Sequence, residues 1–299
     1  ATIEETLDIF MIKSAKTYKV DASKNYYEFV REALKNFTKE NDIKFASLSF
    51  SIPYIPEIIN FEFIQMPIVD KKILKKSIKY EIEEMGITED LEDIYYNWEI
   101  LNKNIDEYDN EYDIVLATIE RKIIKELSKL KTVKWRISNV EFQPVTVGRL
   151  VQKNSVVIDF GHRGTRVYMY LDGNISEIEY IDFGGKDITE IITKETEISD
   201  IEKIEEIKEE CFIVNDFLAI DIDKEIEKCS KAITQEVSDA FDKIKRLVRS
   251  FELKNSLVME EIYYIGETSN ISYFIEQFSK ELEVNVKPLE LLTPKNEEE

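Results

Sequence analysis

Histidine is nearly missing from this chain: His162 is the single one in 299 residues. A histidine-based catalytic triad and a multi-histidine metal centre are thereby excluded. Cysteine is almost as scarce. Cys211 and Cys229 have no metal-ligand spacing, and with no signal peptide they predict a reduced, cytoplasmic setting. Basic residues are in deficit, 40 against 61 acidic, for a net charge of −21. Such a surface repels phosphates, which argues against a nucleic-acid partner. No apolar run approaches the roughly 20 residues that span a bilayer, so no transmembrane segment is expected. Glycine occurs eight times, and never within residues 1–25.

Against these absences stand 43% hydrophobic and 11% aromatic residues, enough for one large or two medium cores. Residues 1–20 alternate apolar and polar and predict strand. Tyr27, Val30, Leu34 and Phe37 share a helical face, and Ala46–Ser51 alternates again. A self-contained α+β unit follows. The stretch IINFEFIQMP predicts a strand, and Asp70 caps a helix whose stripe is Leu74, Ile78, Ile82 and Met85, ending at Gly86. Strands at 94–101 and 112–118 and a helix carrying Ile123, Leu127 and Leu130 complete it. Beyond a strand at 133–142, helices are expected at 144–152, 187–210 and 224–252, and from Ile271 to Leu282.

The most informative stretch is VVIDFGHRGTRVYMYLDGNISEIEYIDFGG, Val156–Gly185, which holds five of the eight glycines and two copies of Ile-Asp-Phe-Gly 23 residues apart. It predicts three short strands, with a tight Asp-Gly turn at 171–174. Two readings compete: an ordinary hairpin in which glycine and aspartate serve the backbone, or a turn built for phosphate. For the second, Asp159 ends an apolar strand and Gly161, Gly164 and Thr165 follow in the pattern D-x-G-x-x-G-T. Backbone amides and a hydroxyl there can face phosphate while the carboxylate holds a magnesium water. Gly184 and Gly185 open a helix, whose N-terminus favours anions.

The order strand, DxGxxxT turn, strand, turn, strand, GG, helix, and later IYYIGETSNISYFIEQFSKEL with Gly266 at its turn, resembles the second half of the actin-like ATPases. The segment IINFEFIQMPIVDKKILKKSIKYEIEEMGI resembles the insertion domain of the PilM family, cytoplasmic actin-like components of type IV pilus assembly. AITQEVSDAFDKIKRLVRSFE resembles that family's long helix. The resemblance implies an α/β, actin-like (ribonuclease H-like) two-lobed ATPase fold with an α+β insertion subdomain. It divides the chain into a first lobe (1–52 and 133–152), an insertion (53–132), a second lobe (153–292) and a tail (293–299). It further implies ATP and magnesium between the lobes, with Asp159, Gly161, Arg163, Gly164, Thr165, Gly184, Gly185 and Gly266 as nucleotide contacts and Asp159 holding the metal through water. Two departures stand out. The family's N-terminal D-x-G phosphate hairpin is missing, and the adenosine turn has one glycine followed by Glu267, Thr268 and Ser269.

By the same resemblance the chain is a scaffold of type IV pilus or related type II secretion assembly. It would bind the cytoplasmic N-terminal peptide of a PilN-like inner-membrane protein, in a groove between insertion and first lobe, and so join the assembly platform at the cytoplasmic face of the membrane. A FtsA-like cell-division protein and a small-molecule kinase of the same superfold are the alternatives; no positioned base for turnover is visible. Lys71, Lys72, Lys75, Lys76 and Lys79 line one helix side, readable as a solvated face or as a patch for an acidic partner or anionic lipid. The run DIEKIEEIKEE at 200–210 reads as a solvated face, and so does lone His162 in its turn. Tyr95, Tyr96 and Trp98 alternate on a strand and read as core or as a peptide groove, with Tyr95 assigned to the core.

Overall fold

The structure is a computed structural model describing residues 2–6, 9–14, 16, 18, 25–88, 90–105, 110–151, 153–214, 223–259 and 261–290. The chain runs β1 (Thr2–Thr6), β2 (Ile9–Ser14), α1 (Tyr26–Glu40), β3 (Ala46–Ile52), β4 (Ile59–Pro67), α2 (Lys71–Glu84), β5 (Ile94–Ile105), β6 (Asn110–Glu120), α3 (Arg121–Ser128) and β7 (Trp135–Phe142). It continues through α4 (Gln143–Gly148), β8 (Ser155–Phe160), β9 (Thr165–Leu171), β10 (Asn174–Ile181), α5 (Gly185–Thr196), α6 (Ile201–Glu210), α7 (Lys224–Asn255), β11 (Glu261–Ile265), α8 (Phe274–Leu282) and β12 (Val286–Pro288). It divides into two units that meet in sequence at Gln143 and Pro144. The sequence places that boundary at 152/153. Residues 144–151 join the second unit because Tyr170 holds them: its hydroxyl donates to the Pro144 carbonyl at 2.7 Å, and its ring faces Gly148. The tail at 293–299 lies outside the described residues.

In the first unit, β1 and β2 pair antiparallel. A hairpin thus forms where the sequence shows no glycine turn; strand pairing needs alternation more than glycine, and residues 7–8 between the strands lie outside the described residues. β3 and β7 pair in parallel and bracket the insertion, with Ala46 opposite Trp135 and Ile52 opposite Phe142. The insertion is a three-stranded antiparallel sheet, β4-β6-β5. Its register sorts the side chains. Ile64, Ile114, Leu116, Tyr96, Trp98 and Tyr112 share the face that packs on Leu74, Ile78 and Ile82 of α2. Phe61, Phe63, Val115, Ala117 and Tyr95 share the other.

α2 starts as expected, with the Asp70 carboxylate accepting the Lys72 amide at 2.8 Å. It ends at Glu84, so Met85 falls just beyond the stripe and is 37% exposed. The charges on this helix oppose its macrodipole: no acid stands in the first turn and no base in the last. Each misplaced charge costs about 0.3–1 kcal/mol.

The second unit carries a five-stranded sheet in the order β10-β9-β8-β11-β12. The first three strands form an antiparallel meander, and β11 and β12 add in parallel. The Asp-Gly turn behaves as read: Asp172 and Gly173 have φ of 50° and 79°, the left-handed pair of a type I′ hairpin. The predicted helix over 187–210 is two helices. Glu197 turns left-handed (φ 60°) to end α5, and the Asp200 carboxylate accepts the Glu202 amide to start α6. Ile233, Val237, Phe241, Ile244, Val248 and Phe251 of α7 form the buried stripe. Phe160 meets Phe241, Phe274 and Phe278 edge-on, with centroids 6.4, 4.9 and 5.4 Å away. Among the described residues no helix is long and apolar enough to cross a membrane.

Candidate functional site at the β8–β9 turn

β8 is buried along its whole length, so the turn that follows hangs from the core. Asp159 and Arg166 are direct partners across the β8–β9 ladder. Their carboxylate oxygen and guanidinium nitrogen lie 3.2 Å apart, with side chains 9% and 7% exposed. Arg166 also lies near the Tyr180 ring, 6.0 Å from its centroid. Burial of this kind demands pairing, since an isolated charge is strongly disfavoured in a core.

The seven sequence-predicted residues from Asp159 to Gly185 come together in one knot. The Gly161 amide donates to the Asp159 carbonyl (3.0 Å), and the Gly161 carbonyl accepts from the Gly185 amide (3.1 Å) and the Thr268 hydroxyl (3.1 Å). The His162 carbonyl accepts the Lys186 amide at 2.7 Å. Thr165 donates to the Phe183 carbonyl (2.9 Å), and Tyr180 to the Arg163 carbonyl (3.1 Å). At the start of α5 the Gly184 amide is taken by the Asp187 carboxylate at 2.7 Å.

The glycines are needed for this closeness. A Cβ on Gly184 would stand 2.5 Å from the Gly161 carbonyl oxygen, and one on Gly164 would stand 2.3 Å from the Tyr180 hydroxyl. Gly266 joins the knot from β11. Its φ is +101°, and a Cβ there would meet the Phe160 carbonyl oxygen at 2.4 Å. Its lack of a side chain therefore serves a backbone approach within the protein.

Four participants escaped the sequence reading. Arg166 sits in an apolar strand, and Asp187 and Thr268 look like ordinary cap and turn residues. Lys208 belongs to the run read as a solvated face. The structure corrects that reading for one edge of α6: Ile204 is buried, and the Lys208 side chain, 15% exposed, reaches in to the Gly185 carbonyl (2.9 Å) and the Thr189 hydroxyl (3.1 Å). Partial burial, with Lys208 nearby, holds the His162 imidazole below its ordinary pKa. His162 keeps part of its surface open to solvent, as expected of a turn residue.

Magnesium and ATP, implied by the resemblance, can be tested against these contacts. The carboxylate meant for a metal water is paired with a guanidinium. The α5 amides of residues 184–186 and the Thr165 hydroxyl already have protein acceptors. The residues as arranged do not form a ready magnesium–phosphate cradle. No cluster of potential metal ligands occurs among the described residues. Cys211 and Cys229 are buried, and burial pushes the Cys211 thiol up to about 11, away from thiolate chemistry.

The fold is actin-like. The structure is similar to that of the "PilM-PilN type IV pilus biogenesis complex", with TM-score 0.66 and 15% identity over 87% of this chain and 74% of that one. Weaker likenesses reach the ethanolamine utilization protein EutJ from Carboxydothermus hydrogenoformans (TM-score 0.42, 18% identity, 56% of this chain and 54% of that one) and the MamK double helical filament (TM-score 0.44, 16% identity, 57% and 61%). No protein-family model matches the chain, and no curated protein sequence does.

Proposed function

We propose that this chain is an actin-like scaffold of a type IV pilus or related secretion assembly, binding the N-terminal cytoplasmic segment of a PilN-like membrane protein and reaching the cytoplasmic face of the membrane through it. The observation that carries the reading is the insertion face turned away from α2. Phe63 and Tyr95 are 40% and 43% exposed there, while Phe61 on the same face stacks edge-on against Phe142 of β7 and against Tyr54. Tyr95, assigned to the core from the sequence, instead lies under Arg121, whose guanidinium carbon stands 4.3 Å from the ring centroid. The neighbouring β3–β7 ladder is two-stranded among the described residues. Exposed aromatics at alternate positions of a sheet face suit an extended peptide, which inserts alternate side chains between them.

The nucleotide part of the reading keeps Asp159, Gly161, Arg163, Gly164, Thr165, Gly184, Gly185 and Gly266 as contacts, with Asp159 toward magnesium. For it to operate, the Asp159–Arg166 pair would have to open. Peptide binding needs no such change.

The test is fluorescence anisotropy with the labelled N-terminal segment of the PilN-like gene product from the same genome, with and without Mg-ATP. Saturable binding by the native chain, weakened about tenfold or more by Phe63→Asp, supports the scaffold. No binding, or equal binding by the variant, overturns it.

A further inference from the structure

The lysines of α2 lie outside the surface just described, on the opposite face of the insertion sheet. Lys71, Lys72, Lys75, Lys76 and Lys79 are all exposed. At 100° per residue they fall on one flank of the helix. None of them has an acidic partner within ion-pair distance among the described residues. The chain as a whole carries a net charge of −21, so this flank is a local exception to the field around it. Lys71 and Lys72 also stand in the first turn of their helix, its positive end, where lysine is disfavoured. Stability alone would place acids there.

At the foot of the flank is a cavity of about 300 Å³ lined by Val69, Lys71, Leu74, Trp98, Ile100 and Tyr112. One lysine thus belongs to both features. The cavity walls are apolar and aromatic, and the volume suits one or two large side chains.

From this juxtaposition we propose a second docking site, for an acidic protein segment carrying an apolar anchor residue. Carboxylates of the segment pair with the lysine flank, and the anchor enters the cavity beside Trp98. Charge complementarity selects the acidic partner. The concave apolar pocket selects a peptide over an anionic bilayer, whose broad surface satisfies lysines without filling a narrow cavity. The proposal is independent of the PilN-like assignment.

The probe is a short fluorescein-labelled peptide of glutamates flanking a central Phe-Leu, with a companion in which Phe-Leu is replaced by Ser-Ser. Vesicles with one-third phosphatidylglycerol form the lipid arm. The chain has two tryptophans, so a Trp135→Phe background leaves Trp98 as the reporter of cavity occupancy. At low ionic strength the Phe-Leu peptide is expected to bind and shift Trp98 emission, with the companion at least fivefold weaker. Lys71→Glu with Lys72→Glu is expected to weaken binding at least tenfold while leaving Tm no lower than native, because acids suit that helix end. Trp98→Ala, carried in the native Trp135 background, should lose the preference for Phe-Leu over Ser-Ser. Absence of peptide binding, equal binding of the two peptides, or equal binding by the charge-reversed variant overturns the proposal. Vesicle sedimentation without peptide binding overturns it in favour of lipid.

Discussion

Asp159 and Arg166 face each other across neighbouring strands, 3.2 Å apart and nearly sealed from solvent. Gly161 lies against the same guanidinium: a Cβ there would stand 2.6 Å from Arg166 Nη1. The ion pair and the turn are therefore one device. Arg166→Met removes the partner of a buried carboxylate and is expected to cost about 3–5 kcal/mol in urea unfolding. Asp159→Asn should cost a comparable amount. A double-mutant cycle should give a coupling above about 1 kcal/mol. Additive losses would show that the two groups do not depend on each other.

Gly266 and Gly86 make a controlled comparison. Both have positive φ, +101° and +66°, but a Cβ on Gly86 meets nothing within 4 Å, whereas one on Gly266 meets the Phe160 backbone at 2.4 Å. Gly86→Ala should cost only the left-handed penalty, about 1–2 kcal/mol. Gly266→Ala adds a backbone clash that no rotamer relieves, and should cost at least about twice as much. Thermal denaturation of the two variants decides it. Equal losses would mean that β11 can withdraw from Phe160 at little cost.

The same contacts bear on nucleotide. A ligand at 100 times its Kd adds about 2.7 kcal/mol to stability, several degrees in Tm. With its amides, hydroxyl and carboxylate committed to protein partners, the turn should give no Tm change with Mg-ATP at millimolar concentration. A saturable rise would show that the Asp159–Arg166 pair yields to the ligand.

His162 offers a clean pH readout because it is the only histidine. Its imidazole is held below the ordinary value, first by burial and then by Lys208. A folded-state pKa below the unfolded one means that the neutral form is favoured on folding. The contribution is thus present above the unfolded pKa of about 6.5 and lost as pH falls through the folded value. Proton NMR titration should place His162 below about 6.5, and Lys208→Met should raise it. An unchanged value in the variant would remove Lys208 as a cause.

Much of the fold could be read in advance because its signals are local. Asp70 followed by the Leu74, Ile78, Ile82 stripe predicts α2, and Leu171-Asp172-Gly173-Asn174 predicts a tight turn; both depend on a few adjacent residues. The second IDFG and its glycine pair mark the start of α5 for the same reason. What escaped depends on distant partners. Nothing near Lys208 in sequence says that it bends in to the Gly185 carbonyl, since its spacing on α6 equals that of a solvated lysine. Arg166 falls within a strand otherwise apolar, and only the pairing register puts it opposite Asp159. Gly266 was visible as a glycine, but the nearby group that requires it, the Phe160 carbonyl, is about a hundred residues away in sequence. Sequence-local chemistry thus located the turn correctly without showing what fills it.

The end of α7 supplies a prediction of opposite sign. Ser256 caps the helix in the left-handed region, with φ of 53°, a conformation that favours glycine over any side chain-bearing residue. Its amide bonds back to the Leu253 carbonyl at 3.3 Å, and the following Leu257 amide to Glu252 at 3.0 Å. The backbone geometry is thus already that of a glycine cap, and no hydrogen bond of the Ser256 hydroxyl opposes its removal among those described. Ser256→Gly should raise stability by up to about 1 kcal/mol. Glu252 beside it tests the same junction from the other direction. Its carboxylate accepts the Met259 amide at 2.9 Å and pairs with Arg249 at 2.9 Å while 8% exposed. Glu252→Ala orphans a buried amide and should cost about 1–3 kcal/mol, whereas Glu252→Gln keeps an acceptor and should cost less. If Ser256→Gly destabilises, the serine makes a contact that glycine cannot replace and the cap geometry is not what limits this junction.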